Sequence, residues 1–225
     1  MPATQQRSDD DPFAKSPVLG VLPPDDRKRL TERCVERRFD KGQIVFVEGQ
    51  TADTVLALME GRLKVSTFST DGAERFISSV APGEILGEIG VLSAGPRSAT
   101  VTATAPSRAL VLSRTVIMEL IEQRPAIAVA MLRLLADMVR RNTVAASDLV
   151  FLDLGQRVAK FLVDRSGGSP TDIRITQTDL AAAVGASRQR VNGSLQEFQR
   201  QGWISLASRT VRVLDPEALE LASRG

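Results

Sequence analysis

The chain has 225 residues, 43% of them hydrophobic and 25% charged, with a net charge of +2 and a pI near 9.0. Such a length carries one large domain or two modest ones, and so slight a basic excess permits nucleic-acid binding without demanding it. Histidine is absent and Cys34 is the single cysteine, which removes histidine acid–base chemistry, nearly all zinc hydrolase sites, a histidine-ligated haem, an internal disulfide and a four-cysteine iron–sulfur cluster.

No GxxxxGK[ST] loop appears, so a P-loop nucleotide site is unsupported. No run of roughly 18 apolar residues occurs, so a membrane span is not expected, and no membrane is among the expected partners. The opening "MPATQQRSDDDPFAKSP" is polar and lacks the apolar core of a signal peptide, so a cytoplasmic protein is expected. Residues 1–16 read as a flexible tail, with an Asp run at 9–11. A short helix is expected over 24–34, with Pro24 in its first turn and Leu30 and Cys34 pointing inward together.

From Val35 to Ser113 short apolar–polar alternations recur: "QIVFV", "TVLALM", "RLKVSTF", "RFISSV", "ATVTATA" and "RALVLS". Glycines punctuate them at 42, 49, 61, 72, 83 and 87. Turn signals at roughly 8–12-residue spacing predict an antiparallel β-barrel or β-roll. With the N-terminal helix, this module covers 17–113.

After Ser113 the period becomes helical. "RTVIMELIEQR" is one helix, stopped by Pro125, and "AIAVAMLRLLADMVRRNTVAASDLV" is a longer one. Its stripe Leu132, Leu135, Val139, Asn142, Ala146, Leu149 has the spacing of a coiled-coil seam. A second stripe, Ile127, Met131, Leu134, Met138, lies beside it. Two apolar faces let one helix pack on its own barrel and on a partner's helix, so a homodimer is expected. These helices fill 114–152. Asp153 and Gln156 fit a capping box that starts a new helix and marks a hinge at 152–155.

The last module, 153–225, contains "ITQTDLAAAVGASRQRVNGSLQEFQRQGWISLASRTVRVLD". It reads as helix, tight turn, helix, then two strands. Thr176 is the expected N-cap of the first helix and Ser187 of the second. Leu180, Val184, Val191 and Leu195 make the core, and Gly185 supplies the positive φ of the turn. Arg188, Gln189 and Arg190 fall in the first turn of the second helix, where base edges are read when such a helix enters the major groove. "WISL" and "TVRVL" form a hairpin wing with Ser208 and Arg209 at its tip. The alternative is a small packing module with a solvated basic face.

The stretch with the most chemistry is "GEIGVLSAGPRSATV", residues 87–101. Gly87 lets backbone approach a ligand closely. Glu88 is acceptor-only and suits a ribose hydroxyl. Arg97 offers a fork of donors that matches a phosphate, and Ser98 adds a neutral donor. Ile89, Val91 and Leu92 anchor the segment. By residue type alone, Glu88 and Arg97 also fit a solvated surface pair.

The whole string closely resembles the phosphate-binding cassette of cyclic-nucleotide-binding domains: Gly-Glu, an apolar run, then Pro-Arg-Ala/Ser-Ala-Thr/Ser-Val. Upstream "FDKGQIVFVEGQTADTVLALMEGRLKV" looks like the opening strands of that fold, and the C-terminal segment resembles the winged helix-turn-helix of the cyclic-AMP receptor protein/FNR family of bacterial transcription regulators. The likeness covers roughly residues 18–222 with both modules in order. It implies an α+β architecture: an N-terminal cyclic-nucleotide-binding, jelly-roll-like β-roll, a long dimerisation helix and a C-terminal winged helix-turn-helix.

Carried over, the resemblance makes Glu88 the acceptor from the ribose 2′-OH and Arg97 the partner of the cyclic phosphate. Ser98 hydrogen-bonds that phosphate, Gly87 and Ala99 give close backbone approach, and Ile89 belongs to the same cassette. Asn142 and Thr143 fall where the family places polar adenine contacts, one from each subunit, although a lone Asn in a seam also serves simply to fix register.

On the DNA side the resemblance implies Thr176, Ser187, Arg188, Gln189, Arg190, Asn192 and Arg209. Arg188 matches a guanine-reading arginine. Gln189 stands where the family has glutamate, trading an acceptor for cytosine N4 for an amide able to pair with adenine. Gly193 replaces a basic reader and costs the helix about 1 kcal/mol. The implied activity is non-enzymatic: a regulator of transcription with cyclic AMP as allosteric effector, cyclic GMP as second choice, and no metal, haem or iron–sulfur cluster. The implied partners are a double-stranded operator, a second copy and RNA polymerase. A same-fold regulator that binds DNA without nucleotide is the main alternative. A regulatory subunit controlling an enzyme fits less well, because of the helix-turn-helix.

Overall fold

The computed structural model describes residues 11–70, 72 and 74–224. The chain divides into two compact units, the first built on residues up to Thr67 and on Ser78–Asp137, the second on Phe68–Ile77 and residues from Met138 onward.

In the first unit, a turn of 3-10 helix at Leu19–Val21 precedes α1 (Pro24–Glu32). Then come β1 (Val35–Phe39), β2 (Ile44–Phe46), β3 (Thr54–Glu60), β4 (Leu63–Phe68), β5 (Glu74–Val80), β6 (Ile85–Leu86), α2 (Glu88–Ser93), β7 (Thr100–Ala103) and β8 (Ser107–Ser113), with the tip of β4 and the first half of β5 counted in the second unit. Two four-stranded sheets result, in the orders β1-β8-β3-β6 and β2-β7-β4-β5. This is the β-roll that the alternating pattern predicts.

β3 shows why it forms. Val55, Leu56, Ala57 and Leu58 are all buried, and successive side chains of a strand point to opposite faces. Leu56 and Leu58 join Phe39, Leu63, Val101 and Ala109 in one core, while Val55 and Ala57 join Leu30, Leu110, Leu112, Ile117, Ile127 and Met131 in another. One face therefore closes the roll and the other carries the helices.

Two differences from the sequence reading stand out here. β1, "VERRF", has no alternation, because four of its five residues are exposed; it is an edge strand held by β8 through Val35–Val111 to Phe39–Ser107. The tail expected over 1–16 does not extend that far. Residues 1–10 lie outside the described residues, but Phe13 is 0% exposed and packs with Val18, Leu19, Leu22, Val91 and Ile127. Asp11 accepts from the Phe13 backbone N–H at 3.1 Å and from Arg27 Nε at 2.6 Å, which ties the arm to α1.

α3 (Arg114–Gln123) starts under a Ser113 cap, and Pro125 opens α4 (Pro125–Phe151). Ile127, Ala130 and Met131 pack on the roll core, with Leu134 beside them. The neighbouring stripe is left uncovered: Leu132 is 64% and Val139 65% exposed. The two units part within α4, between Asp137 and Met138, and the helix itself runs unbroken through that point.

In the second unit, α5 (Leu154–Ser166) opens on the expected capping box. Gln156 N–H donates to Asp153 Oδ1 at 2.8 Å and Gln156 Oε1 accepts from Asp153 N–H at 2.7 Å. β9 (Thr171–Arg174), α6 (Gln177–Val184), α7 (Arg188–Arg200), β10 (Ile204–Ala207), β11 (Thr210–Val213) and α8 (Pro216–Arg224) follow. Val158, Leu162, Leu180, Val184, Val191, Leu195 and Leu219 form their core. The wing is a three-stranded sheet, β10-β11-β9, one strand more than the sequence suggests. No helix among the described residues is long and apolar enough to cross a membrane.

Removing the Phe13 ring leaves a cavity in the first core. Phe13→Ala is expected to destabilise the protein by about 3–5 kcal/mol, read as a lowered midpoint in urea unfolding; an unchanged midpoint means the arm is not part of the core.

Candidate functional site

The cassette is built by a sharp change of direction after β6. Gly87 takes a left-handed φ of 86° and caps α2, which carries Glu88 in its first turn. A Cβ at Gly87 would lie 2.4 Å from Arg97 Nη1, so only glycine lets the guanidinium come this close. Val91 is fully buried, Leu92 packs on the same core and Ile89 is half-buried. After α2 the chain returns beside residues 49–51. Arg97 N–H donates to Gln50 O at 2.8 Å, Gly49 N–H to Arg97 O at 2.9 Å, and Thr51 bridges Pro96.

That frame holds two opposite charges out of solvent. Glu88 and Arg97 are each 5% exposed. Burial pushes the Glu88 carboxyl above its ordinary value, against the lowering effects of its own backbone hydrogen bond and of the Arg97 charge. Burial pulls Arg97 down from its ordinary value, while the charges of Asp53 and Glu88 work against it. A buried guanidinium stays charged, so it needs partners.

Thr54 and Gly87 supply them. Arg97 Nη1 donates to Thr54 O at 2.7 Å and to Gly87 O at 3.1 Å, and Nη2 donates to Thr54 Oγ1 at 2.8 Å. The Phe46 ring lies under the guanidinium, 4.2 Å from its centroid to Cζ. Neither Thr54 nor Phe46 is legible as a site residue in sequence. Nε and the outer hydrogen of Nη2 carry none of these bonds. Ser98 is exposed, and Ala99 is buried at the approach to β7. The arrangement presents one charged donor edge, an adjacent carboxylate and a small polar side chain, groups that can hydrogen-bond an anion and a hydroxyl.

Asn142 and Thr143 are exposed on α4, and Thr143 Oγ1 donates back to Val139 O at 3.0 Å. That bond is internal to the helix and leaves the Thr143 hydroxyl oxygen as an acceptor.

The second unit gathers the other residues. Gly185, φ 68°, closes α6. Ser187 caps α7 by accepting from Arg190 N–H at 3.4 Å, and Ser187, Arg188, Gln189 and Arg190 are all exposed. Gln177 Nε2 donates to Asn192 Oδ1 at 3.0 Å, which locks the two helices across the turn and engages one end of the Asn192 amide. Thr176 Oγ1 accepts from Asp179 N–H at 3.0 Å and donates to Asp179 Oδ2 at 2.7 Å, so its hydroxyl is occupied in capping. Arg209 sits exposed in the two-residue β10–β11 turn with φ 57°, a conformation uncommon outside glycine.

Two contacts brace the hinge. Lys160 Nζ grips both oxygens of Asp148 at 2.6 and 2.7 Å, and Arg157 bonds Leu152 O at 2.6 Å and Val184 O at 3.0 Å. They tie the end of α4 and the start of α5 to the first helix of the helix-turn-helix.

A β-roll bearing such a cassette, a long helix and a winged helix-turn-helix defines a regulator of transcription, not an enzyme. The comparisons agree. Residues 36–124 match the cyclic nucleotide-binding domain model and residues 156–222 the Crp-like helix-turn-helix domain model. The chain is 30% identical over 223 residues to the CRP-like cAMP-activated global transcriptional regulator of Mycobacterium tuberculosis, covering 96% of this chain and 100% of that one. The crystal structure of the Thermus thermophilus catabolite activator protein matches at 27% identity and a TM-score of 0.57, over 93% of this chain and 99% of that one. The c-di-GMP-responsive global regulator CLP of Xanthomonas campestris matches in fold, at a TM-score of 0.74 and 23% identity, over 83% and 96%. The chain belongs to the CRP/FNR family of transcription regulators.

Glu88 carries a pH signature. A carboxyl with its folded pKa raised above the unfolded value, near 4.5, binds more protons folded than unfolded. Its contribution to stability is full below that value and is lost as pH rises through the folded pKa. Glu88→Gln is expected to remove that loss, so the variant gains on the wild type as pH rises above the ordinary carboxyl value in denaturant titrations; parallel curves would contradict it.

Proposed function

We propose that the protein is a dimeric regulator that binds a DNA operator with an affinity set by cyclic AMP. The observation that carries this reading is the burial of Glu88 and Arg97 in one cassette, at 5% exposure each, with no hydrogen bond from Arg97 Nε to any of the described residues. The cyclic phosphate meets Arg97 and Ser98, the ribose 2′-OH donates to Glu88, and Gly87, Ile89 and Ala99 give the close surface. Asn142 and Thr143 offer the adenine polar groups from exposed positions on α4.

The dimer forms along the uncovered α4 stripe of Leu132 and Val139, whose exposure is the cost a second copy removes. Arg188, Gln189 and Arg190 enter the major groove, with Ser187, Asn192 and Arg209 contacting backbone or flanking bases and Thr176 approaching the backbone through its main chain, its hydroxyl being held by Asp179. Effector binding shifts the population of two arrangements across the hinge at 152–155. Coupling of about 1–3 kcal/mol suffices for a 5–150-fold change in operator affinity. RNA polymerase is the expected partner at the promoter, and the cytoplasm the expected place of action.

One observation favours a second reading. Arg97 already has three hydrogen bonds and an aromatic face, so the cassette is self-consistent in the protein alone. On that reading the protein binds its operator without nucleotide. Operator selection from a random DNA library, run with and without cyclic AMP and cyclic GMP, separates the two: equal enrichment in every arm supports the second reading.

Two outcomes are expected from variants. Arg97→Ala weakens cyclic AMP binding at least about tenfold, the value of one charge-assisted bond, in titration calorimetry. Arg188→Ala costs about 1–3 kcal/mol of operator affinity and relaxes base choice at one position.

A further inference from the structure

The contacts around Arg97 have a direction. Nη1 gives both of its hydrogens away, to Thr54 O at 2.7 Å and Gly87 O at 3.1 Å. Nη2 gives one to Thr54 Oγ1 at 2.8 Å. Thr54 thus takes the end-on edge of the guanidinium with two oxygens of the same residue, one backbone and one side-chain. Phe46 takes one face, 4.2 Å from Cζ, within the range where a cation is attracted to an aromatic ring. One in-plane edge remains, formed by Nε and the outer Nη2 hydrogen. That edge has the parallel-donor geometry which matches two oxygens of one phosphate.

We infer that Thr54 and Phe46 are positioning residues of the anion site: they fix the plane and the edge of Arg97, and thereby select ligands that present two oxygens side-on to that edge. The inference rests on the cyclic-nucleotide reading above and deepens it.

Three features make it more than local packing. Thr54 begins β3 and is half-buried, and its neighbours Val55 and Leu56 are core residues, so its two oxygens are fixed by the sheet. Phe46 ends β2, whose register against β7 shifts between Ile44 and Phe46. That irregularity re-aims a side chain as bulges do, and here Phe46 lies under Arg97. Finally, Arg97 is pinned at its own backbone by Gln50 and Gly49, so the guanidinium is held at both ends. A bidentate contact made by a pre-set fork loses little rotamer freedom on binding.

The cyclic phosphate carries two exocyclic oxygens, and sulfur can replace either one, giving two diastereomeric phosphorothioates. A fixed fork meets one oxygen with Nε and the other with Nη2, so it adds to whatever discrimination Ser98 and the ribose contact supply; a swivelling guanidinium adds none. The test is titration calorimetry on the full-length protein with cyclic AMP and with each phosphorothioate. The wild type, Thr54→Val, Thr54→Ser and Phe46→Leu are compared, with urea unfolding of each as the control for folding.

The wild type is expected to prefer one diastereomer. Thr54→Val, which keeps the carbonyl but loses Oγ1, is expected to weaken cyclic AMP by about tenfold and to bring the two diastereomers closer together. Thr54→Ser restores both affinity and preference. Phe46→Leu is expected to weaken binding about three- to tenfold, in the range of a partly desolvated cation–aromatic contact. A Thr54→Val protein that folds normally and keeps the wild-type affinity and preference overturns the positioning role and leaves the cyclic-nucleotide reading intact. A wild type that binds none of the three compounds overturns both.

Discussion

A buried arginine has to be satisfied, and in this protein that requirement organises the sensor module. Taking a guanidinium and a carboxylate out of water costs several kcal/mol for each charge unless fixed dipoles replace the solvent. The replacements at Arg97 come from the start of β3, from the glycine before α2 and from the ring that ends β2. Three separate strand ends must therefore meet at one point. The jelly-roll order, with β3 between β8 and β6 and β2 beside β7, is what brings them there. Burial disfavours the charge on both groups, raising the Glu88 carboxyl and lowering the Arg97 guanidinium from their ordinary values.

The same economy links the site to the helices. The α2 turn that carries Glu88 buries Val91 in the core that also holds Phe13, Ile117, Ile127 and Met131. A displacement of the cassette is thus felt by the first half of α4 through close-packed side chains, which resist continuous deformation. In the second unit the α4–α5 junction is braced by the Asp148–Lys160 pair and the reach of Arg157 to two carbonyls, beside the packing of Leu154 on the second core. Such contacts are directional and exchangeable with water.

Much of this was legible in the sequence, and what was not has physical reasons. Residue type and order reveal the cassette, because a glycine that must take φ 86°, a first-turn glutamate and a proline–arginine pair leave a local trace. The helix-turn-helix is equally plain, through Thr176, Gly185 and Ser187 at its caps. Thr54 and Phe46 leave no trace, since their roles arise from contacts with a residue more than 40 positions away in the chain. β1 escaped because an edge strand exposed on both faces does not alternate. β9 is only four residues long, Thr171–Arg174, and follows a glycine pair. α8 begins at a proline and shows its apolar side only against the second core, through Leu219. Phe13 was hidden by its polar surroundings: one aromatic residue in an acidic segment resembles disorder until the pocket that receives it is known.

The central claim is that the edge of Arg97 left open by Thr54 receives a cyclic phosphodiester while Glu88 receives the sugar. A crystal structure of the protein grown with cyclic AMP tests it most directly. The account predicts density inside the roll with one phosphate oxygen about 3 Å from Nε, a second at a similar distance from Nη2, and the ribose 2′-oxygen within hydrogen-bond reach of the Glu88 carboxylate. An empty roll at saturating nucleotide, or a nucleotide bound with its phosphate away from Arg97, contradicts it.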